Sequence, residues 1–143
     1  MSEPQQTLTI QQALDLAMQH HKAGRLSEAE NIYQQILQSN PNQPVALHLL
    51  GAIAHQVGKH DKAVDRITRA LNLKPNYAEA HNNLGLALQN LGKLDDALAS
   101  FSKALDLKPD YAEVNYNLGL ALHDLGKLDD AVASYHKALS LNP

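Results

Sequence analysis

The apolar positions of the sequence recur at helical spacing within a longer period of 34 residues. Residues 78–109 and 112–143 are identical at 22 of 32 aligned places, and the same skeleton appears at 44–75 and 10–41. Within each copy, apolar residues three and four positions apart fall on one helix face. A fixed period of this length is typical of a repeat array, in which each copy buries its apolar surface against its neighbours.

Glycine and proline divide each copy into two predicted helices. The first helix is predicted to end at a glycine, because glycine takes the left-handed conformation without steric cost. These glycines are Gly24, Gly58, Gly92 and Gly126. The second helix is predicted to start three residues later at an N-cap and to end before a proline. The caps are Ser27, Asp61, Asp95 and Asp129, and the prolines are Pro41, Pro75, Pro109 and Pro143.

The pattern therefore predicts an all-α solenoid of four antiparallel helix pairs. Residues 1–9 are expected to form a flexible lead-in, although Thr9-x-x-Gln12 has the form of a capping box for the first helix. The repeats are predicted at 10–43, 44–77, 78–111 and 112–143.

The last predicted helix has no polar capping element after it, and repeat arrays need one at each end. We therefore expect the chain to be a fragment of a longer protein. Apolar side chains such as Val132 and Leu139 would be partly uncovered on that helix. Self-association through exposed terminal helices is a further expectation.

The packing columns resemble a known family. Those of the third copy are Leu84-Gly85, Leu88, Ala97, Phe101, Ala104 and Pro109. This order of residues resembles the tetratricopeptide repeat, although the first copy has Ala17 in place of the glycine and Ile36 in place of an alanine. The resemblance implies a right-handed superhelix whose first helices line the concave side. It also implies a protein that holds a peptide or partner protein without catalysis.

The copies are also similar to the bacterial arrays that precede O-GlcNAc-transferase-like domains. Asn83 and Asn117 match a recurrent asparagine in the groove of that sub-family. This resemblance implies an alternative function, the substrate-recognition arm of a larger transferase. A third hypothesis is a repeat module that self-assembles through its ends.

Charge is unevenly distributed along the array. The formal net charge of −3 gives no general attraction to nucleic acid or to anionic membranes. Residues 44–77 carry five Lys and Arg against two Asp, whereas residues 78–111 and 112–143 each have a net charge of −2. The basic second copy is interpreted either as a solvated helix face or as a docking patch for an acidic segment.

Several classes of protein are disfavoured by features that the sequence lacks. It contains no cysteine, which leaves no disulfide framework and no thiolate zinc site. Neither a secretory signal nor an apolar run of about 20 residues occurs. A cytoplasmic protein is therefore expected.

The first-helix face that does not form the core is the candidate partner-binding groove. Its residues follow helical spacings of three and four and form a stripe on each first helix. They are Met18, His21, His48, Ala52, His55, Glu79, Asn82, Asn83, Leu86, Gln89, Asn90, Glu113, Tyr116, Asn117, Leu120, His123 and Asp124.

One column of this groove is apolar and consists of Met18, Ala52, Leu86 and Leu120. Two interpretations stay open. The column is either partly buried against the neighbouring first helix, or it is an apolar ledge that accepts side chains of a bound segment.

A second column of the groove consists of His21, His55, Gln89 and His123. Equivalent places on successive copies are too far apart to ligate one ion, so no metal or cofactor is expected. These side chains are interpreted as hydrogen-bonding groups for a ligand or as solvated polar residues. The paired carboxylates at 95–96 and 129–130 open helices, where the helix dipole explains them. No phosphate loop or nucleophile motif occurs, and the sequence predicts no enzyme.

Overall fold

A computed structural model describes residues 8–143, which form eight α-helices and contain no strand. The predicted flexible lead-in lies mostly outside these residues. The helices are α1 (Ile10–Lys22), α2 (Leu26–Ser39), α3 (Pro44–Gln56), α4 (His60–Leu73), α5 (Ala78–Asn90), α6 (Leu94–Leu107), α7 (Ala112–Asp124) and α8 (Leu128–Leu141).

The helices pack in consecutive pairs. The most extensive contacts join α1 to α2, α3 to α4, α5 to α6 and α7 to α8. Each second helix also packs on the first helix of the following pair, and the first helices α3, α5 and α7 touch in sequence. The predicted all-α solenoid of four helix pairs is therefore confirmed. None of the helices in residues 8–143 is long and apolar enough to cross a bilayer.

Close contact within a pair depends on a small residue opposite a large one. A Cβ atom placed on Gly85 would lie 2.5 Å from the Cε1 atom of Phe101, and one on Gly119 would lie 2.6 Å from the Cε1 atom of Tyr135. Phe101 is fully buried. The glycine therefore gives the ring of the second helix the space to pack against the backbone of the first.

The start of α1 follows the predicted capping box. The Thr9 hydroxyl accepts a hydrogen bond from the backbone N–H of Gln12 at 3.1 Å, and the Gln12 side chain accepts one from the N–H of Thr9 at 2.9 Å. These two bonds satisfy two of the backbone donors that a helix start leaves free.

The predicted caps of the second helices were wrong. The N-cap residues are Arg25, Lys59, Lys93 and Lys127, none of which makes a side-chain capping bond. Backbone hydrogen bonds close the turn instead: the N–H of Lys93 donates to the carbonyl of Leu88 at 2.9 Å, next to Gly92 with its φ of 76°. The second helix therefore starts two residues earlier, and Ser27, Asp61, Asp95 and Asp129 lie inside its first turn. The aspartates in this first turn still interact favourably with the helix dipole.

Candidate partner-binding groove

The predicted groove residues lie on α1, α3, α5 and α7, and they differ in exposure. Those exposed to solvent are Met18, Glu79, Asn90, Glu113, Tyr116, His123 and Asp124. Those half-buried are His21, Ala52, His55, Asn83, Leu86, Gln89 and Leu120. Those buried are His48, Asn82 and Asn117.

The buried members join neighbouring repeats through hydrogen bonds. The Asn83 side chain donates from Nδ2 to Nε2 of His48 at 2.7 Å. The remaining proton of the imidazole is then on Nδ1, which lies 2.8 Å from the hydroxyl of Tyr77. One repeat later, Asn117 donates from Nδ2 to Oδ1 of Asn82 at 3.0 Å. We call the pairs His48–Asn83 and Asn82–Asn117 the polar ladder.

Both pairs of the polar ladder join residues that are 35 positions apart. A residue on one first helix therefore bonds to the residue after its equivalent on the next first helix. At the first junction the same two places hold Leu14 and Leu49, which belong to one apolar cluster. This pairing could not be predicted from the sequence, because a period of 34 residues identifies equivalent places but not the stagger between adjacent helices.

Burial shifts the acid–base behaviour of this region. Desolvation, with smaller effects from the charges of His21 and Lys74, lowers the pKa of His48 from 6.5 to about 4. Tyr77 is also desolvated, and together with Glu79 and Tyr33 this raises its pKa to about 12. His48 is therefore neutral near pH 7, as its role as an acceptor from Asn83 requires.

The apolar column of the groove is partly covered and partly open. Met18 is 36% exposed, while Ala52, Leu86 and Leu120 are half-buried. Leu86 packs against the cluster that contains Phe101. The column is therefore partly buried, as one interpretation expects, and its role as a ledge for a bound segment stays a prediction.

Two members of the histidine column are engaged within the protein. His21 Nε2 lies 2.5 Å from Oε1 of Gln56 on the next first helix, and His55 Nδ1 lies 3.0 Å from Nδ1 of His60. Burial and the charge of His60 lower the pKa of His55. The His123 ring is exposed, with Nδ1 3.7 Å from the Asp124 carboxylate. Residues 8–143 contain no group of three or more side chains arranged to hold a metal ion.

Two family models match the chain, and both describe the same type of repeat. Residues 82–143 match a family model described as "Tetratricopeptide repeat", and residues 53–92 match one described as "TPR repeat". A search of the curated proteins found no match.

Several solved structures are similar over nearly the whole chain. One structure of MamA has a TM-score of 0.83 and 26% identity, covering 93% of this chain and 78% of the MamA chain. The structure described as MamA MSR-1 has a TM-score of 0.76 and 27% identity, covering 94% and 78%. MamA from Desulfovibrio magneticus RS-1 shares the fold, with a TM-score of 0.82 at 20% identity, covering 93% and 75%. Together with the two matching family models, the stacked helix pairs place this chain in the tetratricopeptide repeat family.

Proposed function

We propose that the chain is a scaffold that binds a peptide or partner protein along its first helices. Tetratricopeptide repeats and a MamA-like structure support a protein-interaction scaffold in general. The observation that carries the groove proposal is the continuous column of Met18, Ala52, Leu86 and Leu120, which keeps apolar surface open on four successive first helices. Apolar side chains of a ligand would bury this surface.

The charges around the column favour a ligand that is basic as well as apolar. Glu79, Glu113 and Asp124 are exposed on α5 and α7. Neither of these two helices contains a lysine or an arginine. A lysine or arginine on the ligand would therefore meet exposed carboxylates along α5 and α7, which steers association and selects the partner.

The proposal is tested with a peptide selected on this protein from a displayed library. The variant Leu86→Asp/Leu120→Asp places charges on the ledge, and Glu79→Lys/Glu113→Lys reverses exposed charges that do not touch the core. We expect each to weaken peptide binding about tenfold or more, measured by fluorescence anisotropy.

A matched charge reversal on the second helix of the third repeat, Asp96→Lys/Asp106→Lys, changes two exposed sites of α6. It controls for net charge and is expected to bind as the parent does. Melting temperatures separate binding from folding, since Leu86 also supports the core. Binding that survives both groove variants would contradict the proposal.

A second candidate function is self-association, and the surface of α8 favours it. Leu128, Val132 and Leu139 are 56%, 52% and 61% exposed. Beside them, Tyr116, Leu120, Tyr135 and Leu139 line a mainly apolar hollow of about 630 Å³. We propose that a second copy of the chain covers this face.

The transferase alternative rests on Asn83 and Asn117 and stays a prediction from the sequence. Both asparagines donate hydrogen bonds within the polar ladder, and Asn117 is only 7% exposed. Their side-chain amides are thus already engaged between repeats.

A further inference from the structure

A small cleft with three cationic side chains lies on the second-helix side of the array, away from the groove. Lys59, Lys62 and Arg66 line it from the start and first turns of α4, and Glu30 lines it from α2. Its apolar wall is Val57, at the end of α3, with Ile53 and Ala54 buried behind it. We call this feature the cationic cleft.

The cations of the cleft are not neutralised within residues 8–143. None of the three lies within 4.0 Å of a carboxylate oxygen there. Glu30, the acid that lines the cleft, instead accepts a hydrogen bond from Nε2 of Gln34 at 3.3 Å. Lys59 and Lys62 are exposed and Arg66 is half-buried, so their charges face an open space.

The other repeats show that the fold does not need this charge. One and two periods further along the chain, the place of Lys62 is taken by Asp96 and Asp130, and the place of Arg66 by Ser100 and Ser134. These junctions have the same helix packing. Lys62 and Arg66 are therefore particular to the second repeat and are not needed for its packing, whereas the place of Lys59 holds a Lys or Arg in all four repeats.

We propose that the cationic cleft binds an acidic, extended protein segment with two carboxylates and a neighbouring apolar side chain. Lys62 and Arg66 lie one helical turn apart, which corresponds to about 6 Å along the axis. Alternate side chains of an extended segment are about 6.6 Å apart and lie on one face. An Asp/Glu-x-Asp/Glu segment thus fits the pair, with Arg66 able to take a carboxylate through two N–H groups.

The apolar wall and the overall charge favour protein over other polyanions. Val57 is 53% exposed and would be covered by an apolar side chain of the segment. The third and fourth repeats each have a net charge of −2. A long nucleic acid or an anionic membrane would be repelled by them, whereas a short acidic segment meets only the second repeat.

The test uses a fluorescein-labelled peptide of about eight residues in which Glu, Glu and Leu occupy successive alternate positions and Ser fills the positions between them. In extended form the two carboxylates and the Leu side chain then lie on one face, towards Lys62, Arg66 and Val57. Fluorescence anisotropy compares the whole protein with the variant Lys62→Asp/Arg66→Ser, which installs the side chains of Asp96 and Ser100. We expect the variant to bind about tenfold more weakly or worse, and Lys62→Gln alone to bind more weakly than the parent.

A matched control, Lys103→Asp/Lys137→Ser, makes the same change in net charge at exposed sites on α6 and α8. We expect it to change binding less than about twofold at 0.15 M salt, where distant charges are screened. Equal weakening in the control would overturn the proposal, as would equal binding of a peptide with Gln in place of Glu.

Two further probes address other anions. Labelled oligothymidylate and vesicles of phosphatidylserine with phosphatidylcholine are tested on the same proteins. If either binds the parent more tightly than the peptide and loses affinity in Lys62→Asp/Arg66→Ser, the cleft serves nucleic acid or a membrane and the proposal is wrong. Circular dichroism establishes that each variant is folded, and Lys62→Gln gives a second measurement if the double variant is not.

Discussion

His48 is a titratable side chain enclosed between two repeats, with 3% of its surface exposed. Its Nε2 accepts from Asn83, its Nδ1 faces the Tyr77 hydroxyl, and the side chains of His21 and Lys74 contribute nearby positive charge. A proton added to Nε2 would face the N–H donor of Asn83. Acid should therefore disrupt the junction between the second and third repeats.

We predict that acid lowers the free energy of unfolding through His48. Its pKa is about 4 in the folded chain against an ordinary value of 6.5, so between these pH values the unfolded chain takes up a proton that the folded chain does not. The contribution present above pH 6.5 is lost as the pH falls to about 4, by about 3 kcal/mol. Urea titrations at pH 7 and pH 4 measure it. His48→Asn should reduce this loss, whereas His123→Asn, at an exposed site, should not. An equal loss in His48→Asn would contradict the assignment.

The buried state of His48, Asn82 and Asn117 could not be predicted from the sequence. Polar residues on the face opposite the main core are usually solvated, and helical spacing places all three on that face. Their burial depends on how closely adjacent first helices approach and on a stagger of one residue. The approach distance and the stagger are both properties of the packed array, and the sequence of a single repeat does not reveal them.

Two features of the individual helices could be predicted: the glycines indicate where the first helices end, and the apolar columns indicate which helix faces pack. The pairing of a small residue in the first helix with a large one in the second recurs as Gly51–Ile67, Gly85–Phe101 and Gly119–Tyr135. The helix starts were less predictable, because Ser and Asp are good caps by type but backbone bonds close these turns. A residue type that is frequent at N-caps does not reveal whether backbone hydrogen bonds already close the turn before the helix.

We predict that Gly85→Ala destabilises the α5–α6 pair. Its new Cβ would lie 2.5 Å from Cε1 of Phe101, and such overpacking costs about 1–3 kcal/mol. Alanine regains about 1 kcal/mol of helix propensity, so we expect a net loss of about 1 kcal/mol. The first repeat, which has Ala17 opposite Tyr33, indicates that the variant still folds. Chemical denaturation measures the change, with Gln89→Ala on the same helix as the control. A variant as stable as the parent would show that Phe101 moves without cost.

The whole molecule is a stack in which each repeat has two neighbours except at the two ends. The order of the stack could be predicted, since the 34-residue period and the apolar columns determine which helices pair. Its surfaces could be predicted only in part. The sequence pointed to Val132 and Leu139 as uncovered, but the hollow beside them depends on how Tyr116 and Tyr135 lie in the folded array.

We predict that the isolated chain associates through α8. Static light scattering at two concentrations should give an apparent mass that rises above 15.6 kDa with concentration. Val132→Glu/Leu139→Glu should restore the monomer mass at both, because buried carboxylates without partners oppose the contact. Val57→Glu/Leu73→Glu makes the same change at exposed apolar sites on another side and should associate as the parent does. A parent that scatters as a monomer throughout would rule out this contact.

The one-residue stagger of the polar ladder determines which repeats can be duplicated in tandem without leaving a buried polar group unpaired. Tandem duplication of the third repeat would set Asn82 of one copy beside Asn83 of the next, so each new junction would gain an amide acceptor and an amide donor. Tandem duplication of the second repeat would instead set His48 beside Leu49, leaving a buried ring nitrogen without a donor. Unequal recombination that copies the third repeat should therefore give longer arrays that fold, and the second repeat should stay single.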